Sequence, residues 1–299
     1  MLQARAMKRL LMLPCVALAA CTTSTPSTPS DAGHALVTTD AGSNQPDAAM
    51  PPDAGVHAYA EMEPNNGTTM TEFNSIELPA VVTGSIGVPD DVDVMGAQLN
   101  AGEFWTWELK SVGGGFVPHL AVVQSTNHVP LMVAIGTASS SSVQEHFVLE
   151  SGRYFIPIRD ARNVPASSSQ HVGGAGVLWQ LNANRTQRTP TPITFPSTVP
   201  AMLAGRNKID LYSFTATGAG LDIVLNAQRL PMPSDMDSRI SLFDKTHNTY
   251  VQTNDDDAAA NTKDSHLGGA LPAADYVLVV ENVDPAASNF HYELVLTLR

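Results

Sequence analysis

The sequence predicts an all-β protein: two tandem, jelly-roll-like β-sandwich domains after a signal peptide and a disordered tether. Three observations carry this. From Glu61 onward the chain falls into short segments in which apolar and polar side chains alternate, and no window shows a helical period. Gly, Pro, Asn and Ser separate these segments, and 21 Gly and 21 Pro are enough turn formers for many short strands. The second half also repeats the spacing of the first, which turns one large sandwich into two small ones.

Residues 1–20 read as an export segment. Arg5, Lys8 and Arg9 precede an apolar run from Leu10 to Ala20 that is too short to span a bilayer permanently. The run ends in Leu18-Ala19-Ala20-Cys21. This resembles the lipobox of bacterial lipoproteins, which implies cleavage before Cys21 and lipidation of its thiol. The alternative is an ordinary cut near Ala20 with Cys21 incidental. Cys15 leaves with the export segment, so the mature chain keeps Cys21 alone and can form no internal disulfide.

Residues 21–60 are rich in Pro, Ser, Thr, Ala and Asp, with Asp-Ala-Gly at Asp31, Asp40 and Asp53. So little apolar surface cannot offset the entropy of ordering, and the segment is expected to be a disordered tether. Its root-mean-square reach is roughly 30 Å.

Residues 61–185 form the first expected domain. Its predicted strands begin with 80–86 and 92–99 and end with 176–181. In the strand through Trp105, the side chains of Trp105, Trp107 and Leu109 share one face, with Thr106 and Glu108 on the other. A Thr- and Pro-rich link, 186–200, is expected to lead into the second domain, 186–299. In its last strand Tyr292, Leu294, Leu296 and Leu298 alternate with Glu293, Val295 and Thr297. Asp91-Val92-Asp93-Val94 corresponds to Lys208-Ile209-Asp210-Leu211, and Gly152-Arg153-Tyr154 to Ala274-Asp275-Tyr276.

The chemistry gathers where the first domain begins. Glu61 and Glu63 point the same way in an extended segment that Pro64 helps to keep extended, and Asp91 and Asp93 share a face at the start of a strand. The sequence Glu61-x-Glu63-Pro64-Asn65-Asn66, then Gly84 in a strand, Asp91-x-Asp93 and Gly152-x-Tyr154 resembles the bacterial pre-peptidase C-terminal domain. The resemblance covers roughly 61–181 and extends more loosely over 190–299. It implies a β-sandwich, often with a calcium site, of the kind appended to secreted proteases and collagenases. By that resemblance Glu61, Glu63, Asn65, Asn66, Asp91 and Asp93 are the ligands, with Asp90 the alternative to Asp91. Calcium takes six to eight oxygens, and such a set supplies them. The alternative is a solvated acidic edge.

A hairpin turning at 245–248 should bring Asp237 near Asn254, Asp255 and Asp256, with Asp264 entering the next strand. The same pattern occurs in members of the family. These five residues are candidate ligands of a second calcium ion, against the alternative of an acidic surface loop.

A net charge of −13 argues against nucleic acid and for cations or cationic partners. The chain carries no His-Glu-x-x-His and no Gly-x-Ser-x-Gly motif. The sequence therefore predicts a non-catalytic lipoprotein, held in the cell envelope through Cys21, with calcium-stabilised modules that bind an extracellular protein or polysaccharide. Thr22 after the lipidated cysteine points to the outer membrane of a Gram-negative bacterium. The alternative is a secreted hydrolase or a protease-accessory subunit using the acidic loops.

Overall fold

A computed structural model of the chain describes residues 55–63, 65, 72–125, 130–135, 141–164, 171–231 and 233–299, with the backbone alone for 130–135. The export segment, Cys21, the tether up to residue 54 and Asn66 lie outside the described residues. Among the described residues there is no α-helix, and no helix is long and apolar enough to cross a membrane.

The first half contains β1 (His57–Ala60), β2 (Asn74–Ser75), β3 (Ala80–Ser85), β4 (Asp93–Leu99), β5 (Phe104–Ser111), β6 (Pro118–Gln124), β7 (Pro130–Ile135), β8 (Ser142–Phe147), β9 (Gly152–Asp160) and β10 (Leu178–Arg185). The second contains β11 (Thr191–Pro192), β12 (Ser197–Met202), β13 (Asp210–Ala216), β14 (Gly220–Asn226), β15 (Ser238–Asp244), β16 (Thr249–Asn254), β17 (Ser265–Ala270), β18 (Ala274–Asn282) and β19 (His291–Leu298).

The first half packs the sheet β1-β3-β10-β5-β8 on the sheet β2-β4-β9-β6-β7. The second packs β12-β19-β14-β17 on β11-β13-β18-β15-β16. The two orders superimpose strand for strand, β3 with β12 and β4 with β13, except that β1 has no counterpart. Alternation builds each core. Trp105, Trp107 and Leu109 of β5 face inward with Trp179 and Leu181 of β10. Tyr292, Leu294 and Leu296 of β19 do the same in the second half, while Leu298, expected on that face, is exposed at the strand's end.

The strand β18 is buried on both faces and reads as a nearly unbroken apolar run. One face joins the second core. The other carries Val277 and Val279, which pack with Phe243 against Phe104 and Phe147 of the first sandwich. The rings of Phe147 and Phe243 meet edge-on at 5.3 Å.

Two boundaries differ from the sequence reading. Residues 57–60 belong to β1 rather than to the tether: β1 pairs in parallel with β3, His57 N donates to Pro79 O at 3.0 Å, and Tyr59 packs on the core. Four residues of which two are alanine show too little periodicity to stand out from the Ala-rich segment before them. The stretch 186–200 also carries strands, β11 and the first residues of β12. Pro200 suggested a linker, but β12 is an edge strand, where a proline is tolerated.

Candidate metal centre

The parallel pairing of β1 with β3 continues one residue further, where Glu61 N donates to Thr83 O at 2.9 Å. This lays the Glu61 side chain over β3 at Gly84. A Cβ on Gly84 would collide with Glu61 Oε2 and with the indole of Trp179, so only glycine admits both. Ser85 N donates to Glu61 Oε2 at 2.7 Å. Asp93 opens β4 in the facing sheet and is fully buried; Trp179 Nε1 donates to its Oδ2 at 2.7 Å. Asn74 clamps the intervening backbone, accepting from Met62 N and donating to Met62 O, both at 2.8 Å. Asn65 N donates to Glu63 Oε2 at 3.0 Å.

One oxygen from each of Glu61, Glu63 and Asp93 lies within 4.8 Å of the others. The end of the buried Asn65 carboxamide stands 3.1 Å from both Asp93 Oδ1 and Glu63 Oε2. Turned one way it donates its NH2 to them; turned the other it adds a fourth converging oxygen. Asp91 is buried just behind. Its Oδ2 accepts from Gly87 N at 2.7 Å, and its Oδ1 is buried without a partner.

Burial dominates the electrostatics. With the charges of Glu61 and Asp91, it pushes the Asp93 carboxyl up to about 9. Burial raises Glu61 and Asp91 as well, each helped by the charge of Glu63. Among the described residues no lysine, arginine or histidine forms an ion pair with Glu61, Asp91 or Asp93. Hard, converging oxygens, a buried orphan carboxylate oxygen and, among the described residues, no protein cation paired to Glu61, Asp91 or Asp93 fit a hard divalent ion of the calcium type.

Of the two alternatives, Asp91 lies near enough for its charge to act on Asp93, though outside the group of oxygens within 4.8 Å, and Asp90 turns away. Asp90 has a left-handed backbone (φ 66°), is exposed, and places Oδ1 2.9 Å from His171 Nδ1.

The expected second cluster does not assemble, because protein cations and backbone donors already hold its acids. Asp264 accepts from Ala227 N, Gln228 N and Arg229 Nε, each at 2.7 Å. Asp237 pairs with Lys263. Asn254 Oδ1 accepts from His266 N at 2.8 Å, while Asp255 and Asp256 are exposed to solvent. These are an ion-paired loop rather than a gathered set of ligands.

The second sandwich arranges the equivalent position differently. Asp210 opens β13 as Asp93 opens β4, and Tyr292 occupies the place of Trp179, its hydroxyl donating to Asp210 Oδ2 at 2.6 Å. Ala201 faces Tyr292 where Gly84 faces Trp179. No counterpart of β1 brings a glutamate; instead Arg188 Nη2 stands 3.5 Å from Asp210 Oδ1. Sequence reasoning missed Trp179, Asn74 and Arg188. The first lies in the predicted strand 176–181, where nothing marked its indole as a polar partner, and the other two lie in segments without periodicity.

No protein-family profile matches the chain, and no curated protein matches it. Solved structures do. The pre-peptidase C-terminal domain of a Bacillus anthracis collagenase is 18% identical over 38% of this chain and 100% of that one, with a TM-score of 0.32. An Aeromonas hydrophila periplasmic inhibitor of g-type lysozyme is 15% identical over 37% and 96%, with a TM-score of 0.28. The tandem CBM51 modules of a Streptococcus pneumoniae family 98 glycoside hydrolase are 7% identical over 71% and 81%, with a TM-score of 0.24.

Proposed function

We propose that this chain is a non-catalytic, envelope-anchored lipoprotein whose paired β-sandwiches bind an extracellular protein or glycan, the first sandwich being stabilised by calcium. The observation that supports it is the convergence of Glu61, Glu63 and Asp93 oxygens at the junction of two sheets with, among the described residues, no protein cation paired to Glu61 or Asp93. In this reading Glu61, Glu63, Asn65, Asn66, Asp91 and Asp93 supply the ligands, with Asp91 in place of Asp90. Glu61 follows β1 and Asp93 opens β4, so an ion held by both ties one sheet to the other where the chain enters the fold. Cys21, cleaved from Ala20 and acylated, would then hold the pair at the outer membrane by its tether, since more than one acyl chain anchors firmly.

The test is thermal unfolding of the purified protein in calcium and in EGTA. Binding to the folded state alone stabilises by about 2.7 kcal/mol at a hundredfold excess over Kd. The reading expects a higher Tm in calcium, and equal Tm values in both buffers would refute the calcium part of it. Metabolic labelling with palmitate, lost in Cys21→Ala, tests the anchor separately.

A further inference from the structure

Beside the Phe147–Phe243 contact the two sandwiches part and leave a cleft of about 260 Å³. One wall comes from the first sandwich and includes His146, Glu150 and Tyr154; the other comes from β15, β16 and β18 and includes Arg239, Tyr250 and Glu281. The volume lies below the usual range for drug-sized ligands, roughly 300–1,000 Å³, so the occupant is one ring rather than a chain.

The lining selects the charge of that occupant. Glu150 takes a hydrogen bond from Gln124 Nε2 at 2.9 Å, and the buried Glu281 takes one from Arg239 Nε at 2.9 Å. An anion entering here would face Glu150 and Glu281, which penalises it, and the charge of Glu281 is already balanced by Arg239. A neutral molecule rich in hydroxyls meets carboxylate acceptors, the Gln124 amide and the hydroxyls of Ser241 and Thr253, which lie 2.8 Å apart. Tyr250, half-buried, supplies flat apolar surface on one side, while the buried Tyr154 closes the floor.

His146 points the same way. It is only 4% exposed, lines the cleft, and has no hydrogen-bond partner at either ring nitrogen. A buried polar group left unpaired forfeits the hydrogen bonds it made to water, which destabilises the fold. A hydroxyl seated in the cleft can pair with one ring nitrogen once the ring turns toward it. Burial and the nearby Arg239 hold the imidazole down to about 3, so it stays neutral, with one donor and one acceptor nitrogen.

We propose that this cleft binds a single neutral sugar residue, the terminal unit of a glycan, against Tyr250. The proposal rests on the binding-module reading above and names its ligand class.

The experiment is saturation-transfer NMR on the full chain in calcium. The probes are glucose, galactose, mannose, xylose and N-acetylglucosamine, together with lactose and maltose. At least one probe should bind with a Kd of about 10 mM or tighter. Tyr250→Ala should weaken it about tenfold, as loss of an aromatic anchor does. Thr253→Trp, on an exposed edge-strand position, should fill the cleft and abolish binding. Both variants should keep the calcium-dependent Tm shift, which reports an intact fold. No binding by any probe, or binding indifferent to both variants, overturns the cleft proposal and leaves the calcium reading standing. Hydrolysis of lactose or maltose would instead overturn the non-catalytic reading.

Discussion

The indole Nε1 of Trp179 donates to Asp93 Oδ2 at 2.7 Å, reaching from one sheet of the first sandwich to a buried carboxylate of the other. The second sandwich keeps the same geometry between Tyr292 and Asp210, at 2.6 Å. What differs is the partner of the remaining oxygens. In the first they face Asn65, with Glu61 and Glu63 close by; in the second they face Arg188. Arg188 therefore supplies Asp210 with the positive charge that a metal ion would supply to Asp93.

Arg188→Ala should destabilise the protein in urea by about 1–3 kcal/mol, because it removes the cation from a half-buried carboxylate. The loss should be the same in calcium and in EGTA. A loss that calcium rescued would show that Asp210 also takes a metal.

Gly84→Ala tests the geometry of the first site without touching a ligand. The added Cβ has to displace either the Glu61 carboxylate or the Trp179 indole. The expected effect is a stability loss of about 1–3 kcal/mol and a much weaker calcium response. Retention of the full calcium-induced Tm shift would show that Glu61 does not bind the ion.

Two histidines govern the acid side of the stability curve. Burial holds His119 down to about 4, with Arg159 adding to it, and His146 down to about 3. Both values lie below the ordinary value of 6.5. The unfolded chain therefore binds protons that the folded chain refuses. Their contribution is complete above about pH 6.5 and is lost as pH falls toward 4, with a slope of about 1.4 kcal/mol per unit for each histidine. Asp93 has the opposite sign, since its raised value makes stability fall as pH rises, so the comparison is made in saturating calcium. Urea melts from pH 4.5 to 7 should show a shallower slope in His146→Leu than in the parent. Equal slopes would mean that His146 is protonated in the folded protein.

Glu145 ties the sandwiches together. It accepts from Arg188 Nη1 at 2.7 Å, Lys208 Nζ at 2.9 Å and Ile209 N at 3.2 Å. With the shared apolar contact around Phe243, this predicts one cooperative unfolding transition for both sandwiches. The double variant Glu145→Ala/Phe243→Ala should resolve two transitions in calorimetry. A single unchanged transition would mean that the contact carries no coupling.

Strands with strict alternation, such as β5 and β19, were legible in the sequence because one face of each is core. The convergence of Glu61 and Glu63 with Asp93 was legible only through the resemblance to the pre-peptidase C-terminal domain, because nothing in the spacing shows that residues 61–63 and 93 meet. β1 and β12 were not legible: edge strands bury little, and their Ala and Pro residues resemble those of a tether. The second acidic cluster misled because charge was counted without its partner. Arg229 precedes Asp264 by 35 positions, and only the pairing of β14 with β17 brings them together.

Isothermal titration of calcium into EGTA-stripped protein should show one site, lost in Asp93→Asn and in Glu61→Gln and unchanged in Asp255→Ala. No heat of binding at millimolar calcium, or a site that survives Asp93→Asn, would contradict a calcium ion held by Glu61 and Asp93.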